Sequence, residues 1–228
     1  MTTTEPIKLY TALVCPYAQR ANIALKEAGV EYESIEIDLQ NKPSWYTDVN
    51  PESKVPAITV RGKNIAESLV IIELVADLYP EAKYMSFRLL PKDPVKRAQV
   101  RFFIEYYSSK IGSLQLKVLA SLNDKEALNG IFAQFRDGLK RANQLLLEQS
   151  PTGPYFLGDQ FSLADVAIAP FIARFQVFRD NYLEDFVIPE EYDRLLSWGK
   201  ALQERESFKE TWPGSEFILQ AYAKRINK

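Results

Sequence analysis

The fold is decided by residues 8–39, KLYTALVCPYAQRANIALKEAGVEYESIEIDL. Residues 8–13 predict a β-strand, and residues 16–28 carry apolar side chains at helical spacing, with Gly29 as a stop signal. Residues 32–39 alternate apolar and acidic side chains, which is the pattern of a second strand. This β-α-β order predicts two parallel strands joined by a right-handed crossover.

The next stretch completes the first domain. Residues 55–66 predict a β-hairpin, and residues 68–79 predict an amphipathic helix. The order β-α-β followed by β-β-α describes a thioredoxin-like domain. The predicted fold class is therefore α/β plus all-α, with a thioredoxin-like domain over residues 1–82, a proline-containing linker over 83–93 and a helical-bundle domain over 94–228.

The second domain is helical almost throughout. Long amphipathic helices are predicted over residues 95–122 and 125–149, and further helices over 189–204 and 214–226. Ser162-Leu163-Ala164-Asp165 predicts a capping box, with the serine at the cap and the aspartate at the third helical position.

The composition excludes several classes of protein. The 228 residues are 46% hydrophobic and 25% charged, as in globular domains, and the net charge of -2 offers no basic face for nucleic acid. No apolar stretch has the length of a membrane span or the form of a signal peptide, and a lone cysteine suits a reducing compartment, so we expect a cytoplasmic protein. The absence of histidine removes imidazole catalysis and histidine metal sites, and we expect no metal.

Cys15-Pro16-Tyr17-Ala18 is the most informative tetrapeptide, because it places the only cysteine between a strand and a helix. Proline is favoured at the first helical position, and the N–H groups and positive end of the helix would then point at the sulfur. Such a position predicts a thiol pKa below the ordinary value of about 8.5. The alternative is that Cys15 is a small buried hydrophobic residue. Because Ala18 stands where a second cysteine could be, any disulfide of Cys15 must form with an external thiol.

Taken together, these motifs resemble the cysteine-type glutathione transferases of the omega class, fungal omega-like proteins above all, with the lambda class as a near neighbour. The resemblance runs along nearly the whole chain. It is carried by residues 15–20 (CPYAQR), 38–46 (DLQNKPSWY), 50–56 (NPESKVP), 67–68 (ES) and 162–165 (SLAD).

The resemblance implies a site for glutathione as a co-substrate. It suggests that Pro56 follows a cis peptide bond, that Glu67 and Ser68 hold the γ-glutamyl group, and that Lys42 and Lys54 face the glycyl carboxylate. Outside this context the lysines would be interpreted as surface charges, and Glu67-Ser68 as an ordinary helix cap. The predicted glutathione-binding residues are Cys15, Pro16, Tyr17, Leu39, Lys42, Lys54, Val55, Pro56, Glu67 and Ser68.

The resemblance also implies a second-substrate pocket between the domains, where clefts usually form. It suggests as its walls Tyr17, Arg174, Trp212 and Tyr222, and Tyr107 could either line the cleft or pack. Phe171, Phe175 and Phe178 lie at helical spacing and are interpreted as core.

The predicted function is a glutathione-dependent thiol transferase that removes glutathione from its acceptors through a mixed disulfide at Cys15. The resemblance implies glutathionylated small molecules, glutathionyl ketones or dehydroascorbate as acceptors, and a homodimer. Two alternatives remain open. One is a non-catalytic ligandin that binds aromatic small molecules in the interdomain cleft, and the other is a transferase-like regulatory protein. The second commonly lacks the Cys-Pro start. We expect no nucleic acid or membrane partner.

Overall fold

The structure of the protein, a computed structural model, describes residues 6–80, 88–183 and 186–226. It begins with the predicted β-α-β unit, in which β1 (Ile7–Thr11) and β2 (Tyr32–Glu36) pair in parallel and α1 (Pro16–Ala28) connects them. Helix α1 ends where Gly29 adopts a φ of 64°, a left-handed conformation that is free of strain for glycine.

The hairpin and the following helix complete a thioredoxin-like domain, which confirms the predicted fold class. The strands β3 (Ala57–Val60) and β4 (Lys63–Ala66) pair antiparallel, and α3 (Ser68–Leu78) follows them. The four-stranded sheet has the order β2-β1-β3-β4, with β3 antiparallel to β1. A short helix α2 (Tyr46–Val49) was not predicted, because a single turn has no periodicity to detect.

The remainder of the described chain is almost entirely helical. Its helices are α4 (Pro94–Tyr107), α5 (Ser113–Ala120), α6 (Lys125–Gln149), α7 (Leu163–Tyr182), α8 (Asp193–Glu204), α9 (Glu206–Lys209) and α10 (Ser215–Ile226). Helix α6 has the predicted bounds, and α8 begins four residues later than the predicted 189.

The single helix predicted over residues 95–122 is divided by a π-helical turn, Ser108–Gly112. Ile111 of this turn packs against Gly138 of α6, where a Cβ atom would come within 2.9 Å of the Ile111 Cγ1 atom. The extra residue in the turn and the missing side chain at Gly138 together allow the two helices to approach closely.

The predicted capping box at the start of α7 is confirmed. The Asp165 carboxylate accepts hydrogen bonds from the Ser162 backbone N–H at 2.8 Å and from the Ser162 hydroxyl at 2.7 Å. Its other oxygen accepts from the Phe156 N–H and the Trp198 indole N–H, at 2.9 and 2.7 Å. Because Trp198 belongs to α8, this fully buried carboxylate also fixes α8 against α7.

The two parts of the fold share an interface between α1 and α7. One hydrogen bond across it runs from the Arg20 Nε atom to the Ala167 carbonyl oxygen, at 2.7 Å. The predicted linker lies partly at residues 83–87, outside the described residues, so the domain division stays a prediction. In its described part, Leu89 is buried and its carbonyl accepts the Leu163 N–H at 2.9 Å. None of the described helices combines the length and apolar character needed to cross a membrane.

Candidate active site

Cys15 lies at the turn between β1 and α1, directly before the first helical residue. Its backbone N–H donates to the Ala12 carbonyl at 2.9 Å, and its own carbonyl accepts the Gln19 N–H at 3.1 Å. The thiol is partly exposed, and its sulfur lies 3.9 Å from the Val55 carbonyl oxygen. The turn therefore presents the thiol at the positive end of α1, as the sequence predicts.

The predicted lowering of the thiol pKa is wrong for this structure. Burial raises the pKa of the Cys15 thiol, because the thiolate would lose much of its hydration among apolar neighbours such as Ala18 and Val55. Hydrogen bonds from the backbone N–H groups of Ala18 and Tyr17 lower this pKa, but by less than burial raises it. The guanidinium groups of Arg174 and Arg20 act in the same direction as those N–H groups and are also outweighed.

The segment that faces Cys15 is held by hydrogen bonds to one carbonyl group. The Lys54 carbonyl oxygen accepts from the Tyr46 hydroxyl and from the Asn50 side-chain amide, each at 2.8 Å. The following Val55–Pro56 peptide bond is cis, as the resemblance suggested. The backbone of Val55 is thereby fixed beside the thiol.

Glu67 and Ser68 stand at the start of α3 and face the same side as Cys15. Glu67 has a φ of 70°, in the left-handed region that favours glycine. The Ser68 hydroxyl accepts a hydrogen bond at 3.1 Å from Arg20, which is buried and pairs with no carboxylate among the described residues. Burial lowers the pKa of Arg20 to about 10, so the guanidinium remains a cation at neutral pH behind Ser68.

A cavity of about 450 Å³ brings these segments together, and we call it the inner cavity. All the predicted glutathione-binding residues line it except Pro16, which lines the adjoining cavity described next. The sequence did not predict Gln40, Asn50 and Ser53 in this wall. The complete lining is Cys15, Tyr17, Leu39, Gln40, Lys42, Asn50, Ser53, Lys54, Val55, Pro56, Glu67 and Ser68.

A second, smaller cavity of about 160 Å³ opens on the other side of Cys15, between the two domains, and we call it the acceptor cavity. Of the predicted second-substrate residues, Tyr17 and Tyr222 line it. Phe171 and Phe178, interpreted from sequence as core, are buried but also form part of its wall. Cys15 therefore lies where a cavity with many polar residues meets a largely apolar one.

Arg174 was predicted in this wall, and the structure corrects that prediction. The fully buried guanidinium donates to the carbonyls of Leu13 and Val14, each at 3.2 Å, and to the Gln19 side-chain oxygen at 2.6 Å. Arg174 thus holds the turn that carries Cys15. Trp212 is likewise absent from the wall, because its ring lies under the Arg174 guanidinium, with 5.2 Å between the guanidinium carbon and the ring centroid.

Tyr107 does not line the acceptor cavity either. It is buried at the end of α4 and lines a separate cavity of about 540 Å³ among α6, α7 and α8. Burial raises the pKa of its hydroxyl, so Tyr107 remains protonated at any physiological pH. The sequence left open whether Tyr107 lines the cleft between the domains or packs. In the structure it packs within the helical domain.

Two family models match this chain. The model of the glutathione S-transferase N-terminal domain matches residues 9–83, and that of the glutathione S-transferase C-terminal domain matches residues 125–200, more than half of the chain in all. The chain belongs to the glutathione S-transferase family.

Individual relatives agree with this assignment. Glutathione S-transferase DHAR2 of Arabidopsis thaliana is 30% identical over 213 residues, which are 93% of this chain and 91% of the relative. Glutathione transferase Omega 1C of Trametes versicolor has a TM-score of 0.79 at 36% identity and 98% coverage of each chain. Omega 2S of the same fungus, solved with 2,4-dihydroxybenzophenone, has a TM-score of 0.78 at 33% identity, with 96% of this chain and 98% of that chain covered.

The protein is thus a glutathione transferase with omega-class structural relatives, and it binds glutathione. In this glutathione transferase, sequence reasoning missed not only three wall residues but also residues that support the site from behind. Arg20 and Gln19 stand within the CPYAQR motif, so the signal was present, but nothing in the motif shows that both side chains turn toward α7.

Proposed function

We propose that this glutathione transferase removes glutathione from its acceptors by forming a mixed disulfide at Cys15. One observation carries the proposal: Cys15 lines both the inner cavity and the acceptor cavity. A sulfur at that junction can contact a glutathionyl group on one side and a departing acceptor on the other. Among the described residues it is also the only thiol.

The inner cavity suits the peptide part of glutathione. Ser68 at the start of α3, backed by the Arg20 cation, can bind the γ-glutamyl carboxylate, and Glu67 can balance the γ-glutamyl ammonium group. Lys42 and Lys54 lie in the wall where a glycyl carboxylate would need cations, although Lys54 also pairs with Glu52 at 2.6 Å.

The proposed reaction is an exchange of disulfide bonds. The Cys15 thiolate attacks the glutathionyl sulfur of the substrate, the bond between that sulfur and the acceptor sulfur breaks, and the acceptor leaves as a thiolate that takes a proton from water. The thiolate of a second glutathione then attacks the glutathionyl sulfur on Cys15. Oxidised glutathione leaves and the Cys15 thiolate is restored, so the two electrons come from glutathione.

The raised pKa of the thiol supports a second candidate, a ligandin that binds apolar compounds without chemistry. A thiol that is mostly protonated at neutral pH reacts slowly. The aromatic wall of the acceptor cavity would serve such a ligandin equally well. The two candidates differ in what they require of Cys15, because only the transferase needs its sulfur.

Mass spectrometry of the intact protein after incubation with oxidised glutathione at pH 8.5 tests the proposal directly. We expect one glutathionyl group on the wild type, on the peptide that contains Cys15, and its removal by reduced glutathione. Cys15→Ser should carry none and should lose thiol-transfer activity toward a glutathionylated substrate.

The outcome separates the candidates. Retained transfer activity in Cys15→Ser, or an unmodified wild type, would contradict the mixed disulfide. Binding of an aromatic compound such as 2,4-dihydroxybenzophenone with equal affinity to an unmodified wild type and to Cys15→Ser would then favour the ligandin.

We also propose that the transferase acts in the cytoplasm as a homodimer. The exposed apolar side chains Val70, Val95 and Phe102, on α3 and α4, support a partner surface. Sedimentation of wild type and Phe102→Asp tests the dimer, because a wild type that sediments as a monomer at micromolar concentration would contradict it.

A further inference from the structure

A further cavity, of about 690 Å³, adjoins the acceptor cavity and shares Val14 and Leu39 with it. We call it the outer cavity. One side is formed by the end of β2 and the residues that follow it, and the other by α10, where Phe217 is 41% exposed. An acceptor that is longer than the acceptor cavity would therefore extend from Cys15 into the outer cavity.

The charged residues that the described part of the chain contributes to the outer cavity all have the same sign. Among its described lining residues the charged ones are Glu36 and Asp38, and no cation stands beside them in that wall. Neither carboxylate forms an ion pair within the described part of the chain. The inner cavity, by contrast, carries Lys42 and Lys54.

Both carboxylates are held in place by backbone hydrogen bonds. Glu36 accepts the Leu13 N–H at 2.9 Å, and Leu13 is two residues from the nucleophile. Asp38 accepts the Gln40 N–H at 2.8 Å. The negative charge of Glu36 is therefore fixed relative to the turn that carries Cys15, whereas that of Asp38 is fixed within its own loop. Each carboxylate retains further acceptor positions for a ligand.

We propose that Glu36 and Asp38 make the outer cavity select acceptors that carry a positive charge, namely thiol compounds with an ammonium group several bonds from the sulfur. An ammonium group there would face two carboxylates and the ring of Phe217, which also attracts cations. A carboxylate in the same place would be repelled. The proposal rests on the proposed function, because it assumes that glutathione occupies the inner cavity.

The test uses thioethers of glutathione, which bind but cannot exchange disulfides. S-(6-aminohexyl)glutathione and S-(5-carboxypentyl)glutathione have chains of equal length and opposite terminal charge, and S-hexylglutathione is neutral. Calorimetry at low ionic strength should give a dissociation constant about fivefold lower for the ammonium compound than for the carboxylate compound. The neutral compound should lie between them, and 0.5 M NaCl should reduce the ratio because salt screens exposed charges.

The Glu36→Gln/Asp38→Asn double variant keeps side-chain oxygens that can accept the two backbone hydrogen bonds but removes both charges. The affinity ratio should then fall to about one. Asp137→Asn/Glu126→Gln removes two exposed carboxylates of α6, outside the outer cavity, and should keep the wild-type ratio. A ratio near one in the wild type, or an unchanged ratio in the Glu36/Asp38 variant, overturns the proposal.

Together with the mass spectrometry, the thioether measurement distinguishes a failure of this proposal from a failure of the proposed function. A charge preference without any glutathionyl group on Cys15 would support the outer cavity and contradict the disulfide exchange. A mixed disulfide on Cys15 without a charge preference would contradict only the role of Glu36 and Asp38.

Discussion

The Cys15 side chain is subject to two opposing influences, burial that raises its pKa and nearby N–H and guanidinium groups that lower it. Burial is the larger, and only the thiolate reacts, so reactivity should increase as the pH rises through the thiol pKa. We expect the rate of alkylation by iodoacetamide to rise about tenfold per pH unit from pH 7, with a midpoint above the value of about 8.5 for free cysteine. Quenched samples analysed by mass spectrometry give the rate, with free glutathione as the reference. A plateau below pH 8 would mean that the donors outweigh burial.

Glu67 has a φ of 70° and a ψ of 114°, a backbone conformation that costs a residue with a Cβ atom about 1–3 kcal/mol. Glycine adopts it without strain but loses about 0.5–1 kcal/mol more entropy on folding. We expect Glu67→Gly to unfold in urea with a free energy equal to that of the wild type or about 1 kcal/mol higher, and to bind glutathione more weakly in calorimetry. Glu67→Ala is the matched control, because it loses the same carboxylate and keeps the strain. If Glu67→Gly proved less stable than Glu67→Ala, strain at this position would be refuted.

Among the elements, α1 could be predicted to the residue because proline and glycine mark its two ends. Helix α1 lies between Pro16 and Gly29, and both signals have a direct steric cause. The helices α2 and α9 are four residues long and show no period, so the sequence could not indicate them. The π-helical turn was also missed, because it depends on how Ile111 meets a glycine of another helix.

Helix α6 contains two glycines at which replacement by alanine should have opposite effects on stability. A Cβ atom at Gly138 would lie 2.9 Å from Ile111 Cγ1 and 3.3 Å from the Lys110 carbonyl oxygen, whereas at Gly130 it would meet nothing within 4 Å. We expect Gly138→Ala to lower the free energy of unfolding by about 1–3 kcal/mol through overpacking. Gly130→Ala should raise it by about 0.5–1 kcal/mol, because alanine favours the helix. Urea unfolding of both variants measures the difference, and equal effects would contradict the close approach of α6 and the π-helical turn.

At the scale of the whole molecule, only those parts of the candidate site that are formed by local sequence motifs could be predicted. The inner cavity is formed by short segments whose residue types indicate their role, and all the predicted glutathione-binding residues except Pro16 line it. The role of Arg174 could not be predicted, because its hydrogen bond to Val14 joins residues 160 positions apart. The thiol pKa was mispredicted for a similar reason: the motif shows the donors of the first helical turn but not the burial supplied by distant residues.

The contact between the domains includes two ion pairs, one buried and one exposed. Each pair contains one of two neighbouring residues of α1, Lys26 and Glu27. Glu27 is buried, with 3% of its side chain exposed, and both of its oxygens accept from Arg205 at 2.8 Å. Lys26 and Glu210 pair at 2.8 Å but are 41% and 46% exposed. The two pairs therefore allow burial to be compared at one interface.

Removing the cation of the buried pair should affect the whole fold, whereas removing that of the exposed pair should not. We expect Arg205→Met to lower the free energy of unfolding by about 3–5 kcal/mol, because it leaves the Glu27 carboxylate buried without its cation. Lys26→Met should lower it by less than about 1 kcal/mol, since water and salt already screen that pair.

Urea unfolding monitored by fluorescence and circular dichroism measures the free energy of unfolding of both variants. The double variant Glu27→Leu/Arg205→Met should recover part of the loss seen in Arg205→Met, because no charge then remains buried. Equal losses in the two single variants would contradict a special role for the buried pair. Fluorescence and circular dichroism transitions that separate only in Arg205→Met would instead show that this pair couples the unfolding of the two domains.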